Sequence, residues 1–385
     1  MNEDFILLEK TYELALYPKR DIVLVRGENA RVWDSEGREY IDCVVGHGVA
    51  NLGHAHPVVV AAIREQAERL VTCSNLFYND QRALLTRKLV EITPRRLTRV
   101  FLCNSGTESM EAAIKFARIS TGRTEFVCAE GGFHGRTLGA LSATFKPHYR
   151  TDFEPLLPGF HFVPFNDFDA LQAKVTRDTA GVILEVVQGE GGVHPGRAEF
   201  FARVRELCDQ TGALLIIDEI QSGFCRTGKW FACEHFDLQP DILCLAKAIA
   251  AGLPMGAVLC SDKVSLPVGK HGTTFGGNPL SCAAANAAIE VMQAEKLEEQ
   301  AREKGAYFRT HLQPESLSKV REVRGLGLML GIETVQEAQP LVLELQQAGV
   351  LVFSAGTHVI RVFPPLTIEY RDLDRVLHSL KEILK

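Results

Sequence analysis

Two charged residues follow two strongly apolar stretches of the chain. Asp218 comes directly after four apolar residues in the segment 214–221, LLIIDEIQ. Lys247 ends a second short run, residues 241–247, DILCLAK. Both runs predict β-strands that are buried on both faces. Because ligands of open α/β sheets bind beyond the carboxyl ends of the strands, we expect Asp218 and Lys247 to meet at one small molecule.

This pair of residues could serve one particular cofactor. A lysine held among apolar residues has a lowered pKa, so its neutral amine can attack a carbonyl group. Pyridoxal phosphate requires such an amine, and it also requires a carboxylate that keeps its ring nitrogen protonated. Lys247 and Asp218 would meet these two requirements. In the alternative interpretation, Asp218 caps a turn and Lys247 is a solvated surface lysine.

A candidate phosphate site lies at residues 104–108, NSGTE, between a predicted strand and a predicted helix. Free amide groups at a helix start bind phosphate, and Gly106 would allow a close approach. Ser105 and Glu108 also fit a capping box, which would explain the motif without a ligand. The two interpretations are compatible.

Three further charged residues could contact the substrate. In the segment 133–137, FHGRT, Phe133 could stack on a flat cofactor and Arg136 could bind a carboxylate through two hydrogen bonds. Alternatively, this is an exposed loop that carries an arginine. Glu185 and Arg361 each end a predicted strand, and they could form an ion pair that opens for dicarboxylates. A plain surface contact is the alternative.

Apolar runs and helical segments alternate through the middle of the chain, which predicts an α/β fold with a largely parallel sheet. The seven predicted strands are residues 100–103, 126–129, 161–163, 182–187, 214–217, 242–246 and 257–260. Residues 281–385 have a different rhythm that predicts a small C-terminal α/β domain. We expect residues 51–280 to form the large domain and residues 1–50, with a small antiparallel hairpin or meander at 22–34, to belong to the small one.

Composition limits the possible functions. The 385 residues are 46% hydrophobic and 23% charged, which is typical of a globular protein with a large core. The formal net charge of -6 gives no reason to expect nucleic-acid binding. The ten cysteines stand singly without metal-type spacing, so we expect no metal site and buried thiols in a reducing cytoplasm. The acidic N-terminus lacks a long apolar run, so we expect neither a signal peptide nor a membrane span.

Taken together, these motifs resemble those of the class III, or subgroup II, aminotransferases among the fold-type I pyridoxal phosphate enzymes. The resemblance runs from Gly27 to about Leu384 and rests on residues 104–108, 133–137, Glu185 with 188–190 (QGE), 218–221, Lys247 and 271–279 (HGTTFGGNP). Within the class, the sequence looks most like the acetylornithine aminotransferase branch, which includes lysine-biosynthesis enzymes whose substrate is attached to a small acidic amino-group carrier protein. Residues 31–34, 40–43 and 48–54 look closest to that carrier-using subgroup.

The resemblance implies pyridoxal 5'-phosphate as the cofactor and assigns roles around its ring. Lys247 would hold the cofactor covalently and later move a proton as base and acid. Asp218 would pair with the ring nitrogen, and Gln221 would hydrogen-bond the ring hydroxyl. Phe133 and Ile220 would lie on the two faces of the ring.

The phosphate contacts that the resemblance implies come from two chains. Gly106 and Thr107 would bind the phosphate within one chain. Thr274 would bind it from a neighbouring subunit, so a homodimer with shared active sites is implied.

Substrate contacts are implied at five positions. Arg136 would hold the α-carboxylate of 2-oxoglutarate or glutamate, and Thr273 would lie at the substrate site. Arg361, released from Glu185, would take the second carboxylate. His47 departs from the family, because many relatives place a tyrosine there; it could donate a hydrogen bond or serve only in loop packing.

The implied reaction moves the terminal amino group of an α-N-blocked lysine or ornithine to 2-oxoglutarate, which gives a semialdehyde and glutamate. Lysine linked to the acidic carrier protein is the first expectation, and N-acetylornithine is the second. Ornithine or 4-aminobutyrate as amino donor, an aminomutase or racemase of the same fold, and a non-catalytic binding protein also stay open.

Overall fold

The computed structural model describes residues 4–385. Residues 1–3, part of the N-terminal segment in which no signal peptide is expected, lie outside the described residues. Among the described helices, none is long and apolar enough to cross a membrane.

The described residues form seventeen strands and thirteen α-helices, with short 3-10 turns between them. The strands are β1 Leu24–Glu28, β2 Arg31–Asp34, β3 Glu39–Asp42, β4 Leu97–Cys103, β5 Glu125–Ala129, β6 Phe160–Val163, β7 Thr179–Glu185, β8 Val187–Gln188, β9 His194–Pro195, β10 Leu214–Asp218, β11 Ile242–Leu245, β12 Gly256–Ser261, β13 Val320–Leu326, β14 Met329–Thr334, β15 Val350–Leu351, β16 Phe353–Ala355 and β17 Val359–Val362. The helices are α1 Phe5–Tyr12, α2 Val45–Gly48, α3 Pro57–Arg69, α4 Asp80–Ile92, α5 Gly106–Thr121, α6 Leu138–Ala143, α7 Pro147–Arg150, α8 Phe168–Lys174, α9 Ala198–Thr211, α10 Pro279–Ala294, α11 Leu297–His311, α12 Ala338–Gln347 and α13 Tyr370–Leu384.

The central sheet has seven strands in the order β4-β12-β11-β10-β7-β5-β6. Strands β11, β10, β7, β5 and β6 pair in parallel, whereas β12 is antiparallel to both of its neighbours. The predicted seven-stranded, mostly parallel sheet is therefore confirmed, and each predicted strand overlaps an observed one.

Strand β10 shows why the sheet forms at its centre. Its alternate residues Leu214 and Ile216 pack in the same cluster as helix α5. Leu215 and Ile217 face the opposite side and pack with residues of α9. Because both faces are covered, every residue of the strand is buried, as expected for a central parallel strand.

The C-terminal part of the chain forms a second sheet in the order β13-β14-β17-β16. The N-terminal strands β1, β2 and β3 form another sheet, in which β3 pairs in parallel with the C-terminal strand β15. The predicted antiparallel hairpin or meander is confirmed, because β1 pairs antiparallel with β2, and β2 with β3. The boundaries of the two predicted domains, at residues 50 and 280, stay a prediction.

Candidate active site

A cavity of about 430 Å³ opens at the carboxyl end of the central sheet. Its volume is within the range of cofactor and ligand pockets. Nine of the residues that the sequence singles out line this cavity: Gly106, Thr107, Phe133, Arg136, Glu185, Asp218, Ile220, Gln221 and Lys247. Among residues 4–385, no group of three histidine, cysteine, aspartate or glutamate side chains is placed to hold a metal ion.

The sheet brings Lys247 and Asp218 to the same cavity. Asp218 is the last residue of β10 and is paired in register with Cys244 of β11. Lys247 begins the 3-10 turn that follows β11. Its φ is +47°, a conformation that costs a non-glycine residue about 1–3 kcal/mol and is found mainly at functional sites.

The surroundings of Lys247 lower the pKa of its amine. Burial lowers the pKa of its amine, and the positive charge of Arg361 acts in the same direction. The carboxylates of Asp218 and Glu190 oppose this shift, but burial outweighs them. A lysine with a lowered pKa has more neutral amine near pH 7, which makes it a better nucleophile and base.

Asp218 is held by two hydrogen bonds. Its Oδ2 lies 2.8 Å from Nδ1 of His134, and its Oδ1 accepts a hydrogen bond of 3.0 Å from the amide of Ile220. Burial by itself would lower the pKa of His134, but the hydrogen bond and negative charge of Asp218 outweigh it and raise that pKa. The 133–137 motif includes His134, but residue type and spacing indicated no role for this histidine.

Glu185 lies beside Asp218, because the two residues are register partners on β7 and β10. Its carboxylate accepts hydrogen bonds from the amides of Phe133 at 3.1 Å and Gly189 at 3.3 Å. Burial raises the pKa of Glu185 to about 7, while the charge of His134 opposes the shift.

The predicted ion pair between Glu185 and Arg361 is wrong. Arg361 pairs instead with Glu190, whose Oε1 lies 2.6 Å from its Nη1. The physical reason is that backbone amides already occupy the carboxylate of Glu185, whereas Glu190 lies five residues later at the tip of a hairpin. Glu190 belongs to the motif at residues 188–190, but the spacing does not show which of two nearby glutamates reaches Arg361.

Arg361 is 1% exposed and reaches the cavity through its neighbours. Its Nη1 also donates a hydrogen bond of 3.4 Å to Oε1 of Gln221, which lines the cavity together with Glu190. Its guanidinium lies 4.1 Å from the ring centroid of Phe353. His47, which is exposed, packs against the same phenylalanine with 5.1 Å between ring centroids.

Helix α5 points its first turn at the cavity. Ser105 caps the helix by accepting a hydrogen bond from the amide of Glu108, and a carboxylate oxygen of Glu108 accepts one from the amide of Asn104. The predicted capping box is therefore present only in part, because Ser105 caps Glu108 but the carboxylate of Glu108 returns to Asn104, one residue before the cap. Gly106 and Thr107 line the cavity beside it. These first helical amides have no intrahelical acceptor, so they can bind an anion.

Gly106 allows a close approach at this point. A side chain there would place its Cβ 2.9 Å from two atoms of Ile220. Only a glycine therefore permits the start of the helix and the wall formed by Ile220 to lie this close.

Thr273 and Thr274 do not line the cavity of the single chain. Thr273 accepts a hydrogen bond of 3.1 Å from the side-chain amide of Asn104, which does line it. Thr274 is exposed. Arg136 is also exposed, and its guanidinium lies 3.9 Å from the ring centroid of Tyr149.

Comparison with known proteins identifies the family. The family described as aminotransferase class III matches residues 16–384. The LysW-aminoadipate semialdehyde transaminase of Deinococcus radiodurans is 50% identical over 385 residues, which cover 99% of this chain and 90% of that protein. The acetylornithine aminotransferase of Methanopyrus kandleri is 49% identical over 383 residues, 98% of each chain. Among solved structures, the ornithine aminotransferase of Toxoplasma gondii superposes with a TM-score of 0.95 and is 34% identical. The match covers 100% of this chain and 94% of that one. That structure has partial occupancy of pyridoxal phosphate at its active site.

Proposed function

This chain belongs to the class III aminotransferases, and from that premise we propose that it moves the terminal amino group of an α-N-blocked lysine or ornithine to 2-oxoglutarate. It is a pyridoxal phosphate-dependent aminotransferase. The observation that carries the proposal is the joint position of Lys247 and Asp218 on one cavity, with the Arg361–Glu190 pair beside it.

The residues of the cavity fit the cofactor. The amine of Lys247, whose pKa is lowered, suits the aldehyde of the cofactor. The carboxylate of Asp218 suits its ring nitrogen, and the start of α5 suits its phosphate. Phe133 and Ile220 line the cavity and supply an aromatic and an aliphatic wall for a flat ring. When bound, pyridoxal phosphate acts as an electron sink at the carbon that loses a proton.

The chain's own residues would divide the remaining work. Lys247 would attach the cofactor and would then take up and return a proton within the cavity. Asp218, oriented by His134, would keep a negative charge at the ring nitrogen. Gln221 would donate a hydrogen bond to the ring hydroxyl. Gly106 and Thr107 would bind the phosphate.

Two kinds of substrate must fit the same cavity. Arg136 would bind the α-carboxylate of glutamate or 2-oxoglutarate. When an ω-amine is bound, Glu190 neutralises Arg361, so no unpaired cation faces the amine. When a dicarboxylate is bound, its second carboxylate would replace Glu190 at Arg361. This role falls to Glu190 rather than to Glu185.

The active enzyme would be a homodimer. An apolar patch, here called the 70–78 patch, projects from the chain beside Thr274; its members are Leu70, Val71, Leu76, Phe77 and Tyr78, each at least 46% exposed. Asn75 ties the patch to the loop carrying Thr274 through hydrogen bonds of 3.2 Å to the carbonyls of Thr273 and Gly276. A second copy of the chain would cover this patch, because monomers rarely expose contiguous apolar surface. The same contact would carry Thr274 toward the partner's cavity.

There is a chemical reason for a substrate whose α-amine is blocked. A free α-amine would cyclise onto the semialdehyde product, and blocking it prevents this. The relative from Deinococcus radiodurans favours a carrier-linked aminoadipate semialdehyde and hence carrier-linked lysine. A small acidic carrier would be attracted by cations near the cavity, where Arg136 is exposed and Lys146 donates to the carbonyl of Glu190.

The ten free cysteines, nine of them buried, support a cytoplasmic location.

N-acetylornithine is the second candidate, since the relative from Methanopyrus kandleri is nearly as similar. A side-by-side comparison of kcat/KM for carrier-linked lysine and N-acetylornithine, with 2-oxoglutarate as acceptor, tests the choice. A higher value for carrier-linked lysine supports the first proposal, and a higher value for N-acetylornithine replaces it with the second. Absence of amino transfer from both substrates would overturn the proposed function.

A further inference from the structure

The hairpin loop that carries Glu190 is held by a residue distant in sequence. Strands β8 and β9 pair antiparallel, and residues 189–193 form the tip between them. Glu190 extends from this tip to Arg361. The position of the tip therefore decides whether the carboxylate of Glu190 reaches the guanidinium.

The side chain of Arg324, on β13, holds the tip by donating hydrogen bonds to backbone carbonyls of the tip. Its Nε donates to the carbonyl of Gly192 at 3.0 Å and to that of Val193 at 3.2 Å. Its Nη2 donates to the same Gly192 carbonyl at 2.8 Å. The Arg324 side chain is 8% exposed, so these hydrogen bonds are largely shielded from water.

Two carboxylates fix the orientation of Arg324 itself. Its Nη1 lies 2.7 Å from Oε2 of Glu322 and 2.5 Å from Oε2 of Glu333. The guanidinium is thus held on one side by acids of the β13–β14 hairpin, and its other donors point at the Glu190 loop. Arginine can do this because its donors form a rigid planar fork, which lysine lacks.

The loop needs such a restraint because its backbone is strained. Val193 has a φ of +56°, a region that β-branched residues rarely adopt. Val193 is fully buried in a cluster with Met329, Phe353 and Phe363. The two phenylalanine rings of this cluster also lie against the guanidinium of Arg361, with its carbon 4.1 and 5.6 Å from their centroids.

We propose that Arg324 is a positioning residue that sets the substrate preference of the enzyme by holding the Glu190 loop against Arg361. Arg324 touches neither the cavity nor the side chain of Glu190. It would act on Glu190 through the backbone of residues 192–193, and its Nη2 also lies 3.3 Å from Nε2 of His194, just after the tip.

The hydrogen bonds from Arg324 to the Gly192 and Val193 carbonyls are called the clamp here. When the clamp is intact, Glu190 neutralises Arg361 and the enzyme favours an ω-amine. When the clamp is lost, Glu190 leaves Arg361 more readily, and dicarboxylates bind more easily.

This inference rests on the proposed function, and its test compares Arg324→Gln with a matched control. Arg321 lies on the same strand and lies 3.7 Å from an oxygen of Glu333, but its side chain is 51% exposed and its side-chain hydrogen bond goes to the carbonyl of Val335 rather than to the Glu190 loop. In the holoenzyme, the ratio of kcat/KM for N-acetylornithine to kcat/KM for glutamate should fall about threefold or more in Arg324→Gln, the range for mutations that act through a contacting network. Arg321→Gln should keep the wild-type ratio.

A binding measurement separates positioning from general loss of structure. Glutarate has two carboxylates and no amino group, and its dissociation constant can be measured by calorimetry. We expect tighter glutarate binding in Arg324→Gln and in Glu190→Gln, but no further gain when the two changes are combined. Arg324→Lys, which keeps the charge, should fold if Arg324→Gln does not, and should show a smaller shift in the same direction.

The outcomes distinguish the two claims. A wild-type enzyme that transfers an amino group neither from glutamate, nor from N-acetylornithine, nor from carrier-linked lysine contradicts the proposed function. If the wild type is active, an unchanged substrate ratio and unchanged glutarate affinity in the Arg324 variants overturn the clamp. An equal loss for both substrates would show a merely structural role for Arg324 and would also overturn it.

Discussion

The Nδ1 atom of His134 lies 2.8 Å from the Oδ2 atom of Asp218, and both side chains are buried. The two residues are far apart in sequence, on the loop after β5 and at the end of β10. Because the carboxylate accepts, the proton lies on Nδ1, and the imidazole fixes one oxygen of Asp218. The contact orients the group that would face the cofactor's ring nitrogen.

Replacing His134 with phenylalanine should slow chemistry more than it weakens substrate binding. We expect kcat for the glutamate half-reaction to fall about tenfold to a hundredfold with little change in KM, because a small misplacement of a group at the reacting centre has effects of this size. Stopped-flow absorbance of the cofactor measures this rate. His161→Phe is the control, since His161 makes only a surface contact with Glu125. Equal rates for His134→Phe and the wild type would contradict the role of His134.

Replacing Glu190 with glutamine should change which substrates react. The variant leaves Arg361 without its negative partner, so kcat/KM for N-acetylornithine should fall about tenfold or more, the effect of losing a hydrogen bond between charged groups. The value for glutamate should stay the same or rise. Glu290→Gln removes a surface pair with Lys88 and should leave both values unchanged. A parallel fall for both substrates in Glu190→Gln would refute the exchange at Arg361.

Glu185→Gln should make the stability of the protein less dependent on pH. Burial raises the pKa of Glu185 from 4.5 to about 7, so the folded state binds the proton more tightly than the unfolded state. Its contribution is complete below pH 4.5 and is lost as the pH rises through about 7. Relative to the variant, the wild type should lose roughly 2–3 kcal/mol of unfolding free energy across this window.

Chemical denaturation of the apoprotein at a series of pH values measures this difference. Glu125→Gln, a change at a partly exposed carboxylate on β5, serves as the control and should follow the wild type. A constant difference between Glu185→Gln and the wild type at all pH values would mean that Glu185 is already ionised at pH 5.

Tyr78→Glu should dissociate the proposed homodimer. Tyr78 is fully exposed on the 70–78 patch in the single chain, so a charge there would be buried without a partner in a dimer. Sedimentation velocity should show a monomer that has lost most of its activity, because Thr274 can then no longer reach the other cavity. Val335→Glu, at a 49% exposed residue elsewhere, should remain dimeric. A wild type that sediments as an active monomer would disprove the shared site.

The central sheet could be predicted from sequence because its strands are unusually apolar. Runs such as Leu214–Asp218 and Ile242–Leu245 are buried on both faces, so nearly all of their residues are apolar and the strands can be recognised from sequence. The position of Lys247 and Asp218 at one cavity followed from the rule that strand ends share an edge. Motif order identified the family, which local periodicity could not have done.

The side-chain partners were harder to predict. Glu185 and Glu190 are five residues apart, and only the hairpin between β8 and β9 decides that the second one meets Arg361. His134 and Arg324 act across long sequence separations, on Asp218 and on the backbone of Gly192. Contacts of this kind depend on how elements pack, and residue type alone carries little information about them.

The amine of Lys247 and the carboxylate of Asp218 would act on one cofactor ring, and every other proposed role depends on this. The most direct measurement is the visible absorbance of the purified protein with pyridoxal phosphate, before and after glutamate alone is added. The wild type should show the band of the covalently held cofactor and lose it on adding glutamate. Lys247→Ala should show neither the band nor the change, while Lys263→Ala, at a surface lysine, should behave as the wild type. Turnover of glutamate by Lys247→Ala at the wild-type rate would contradict the account.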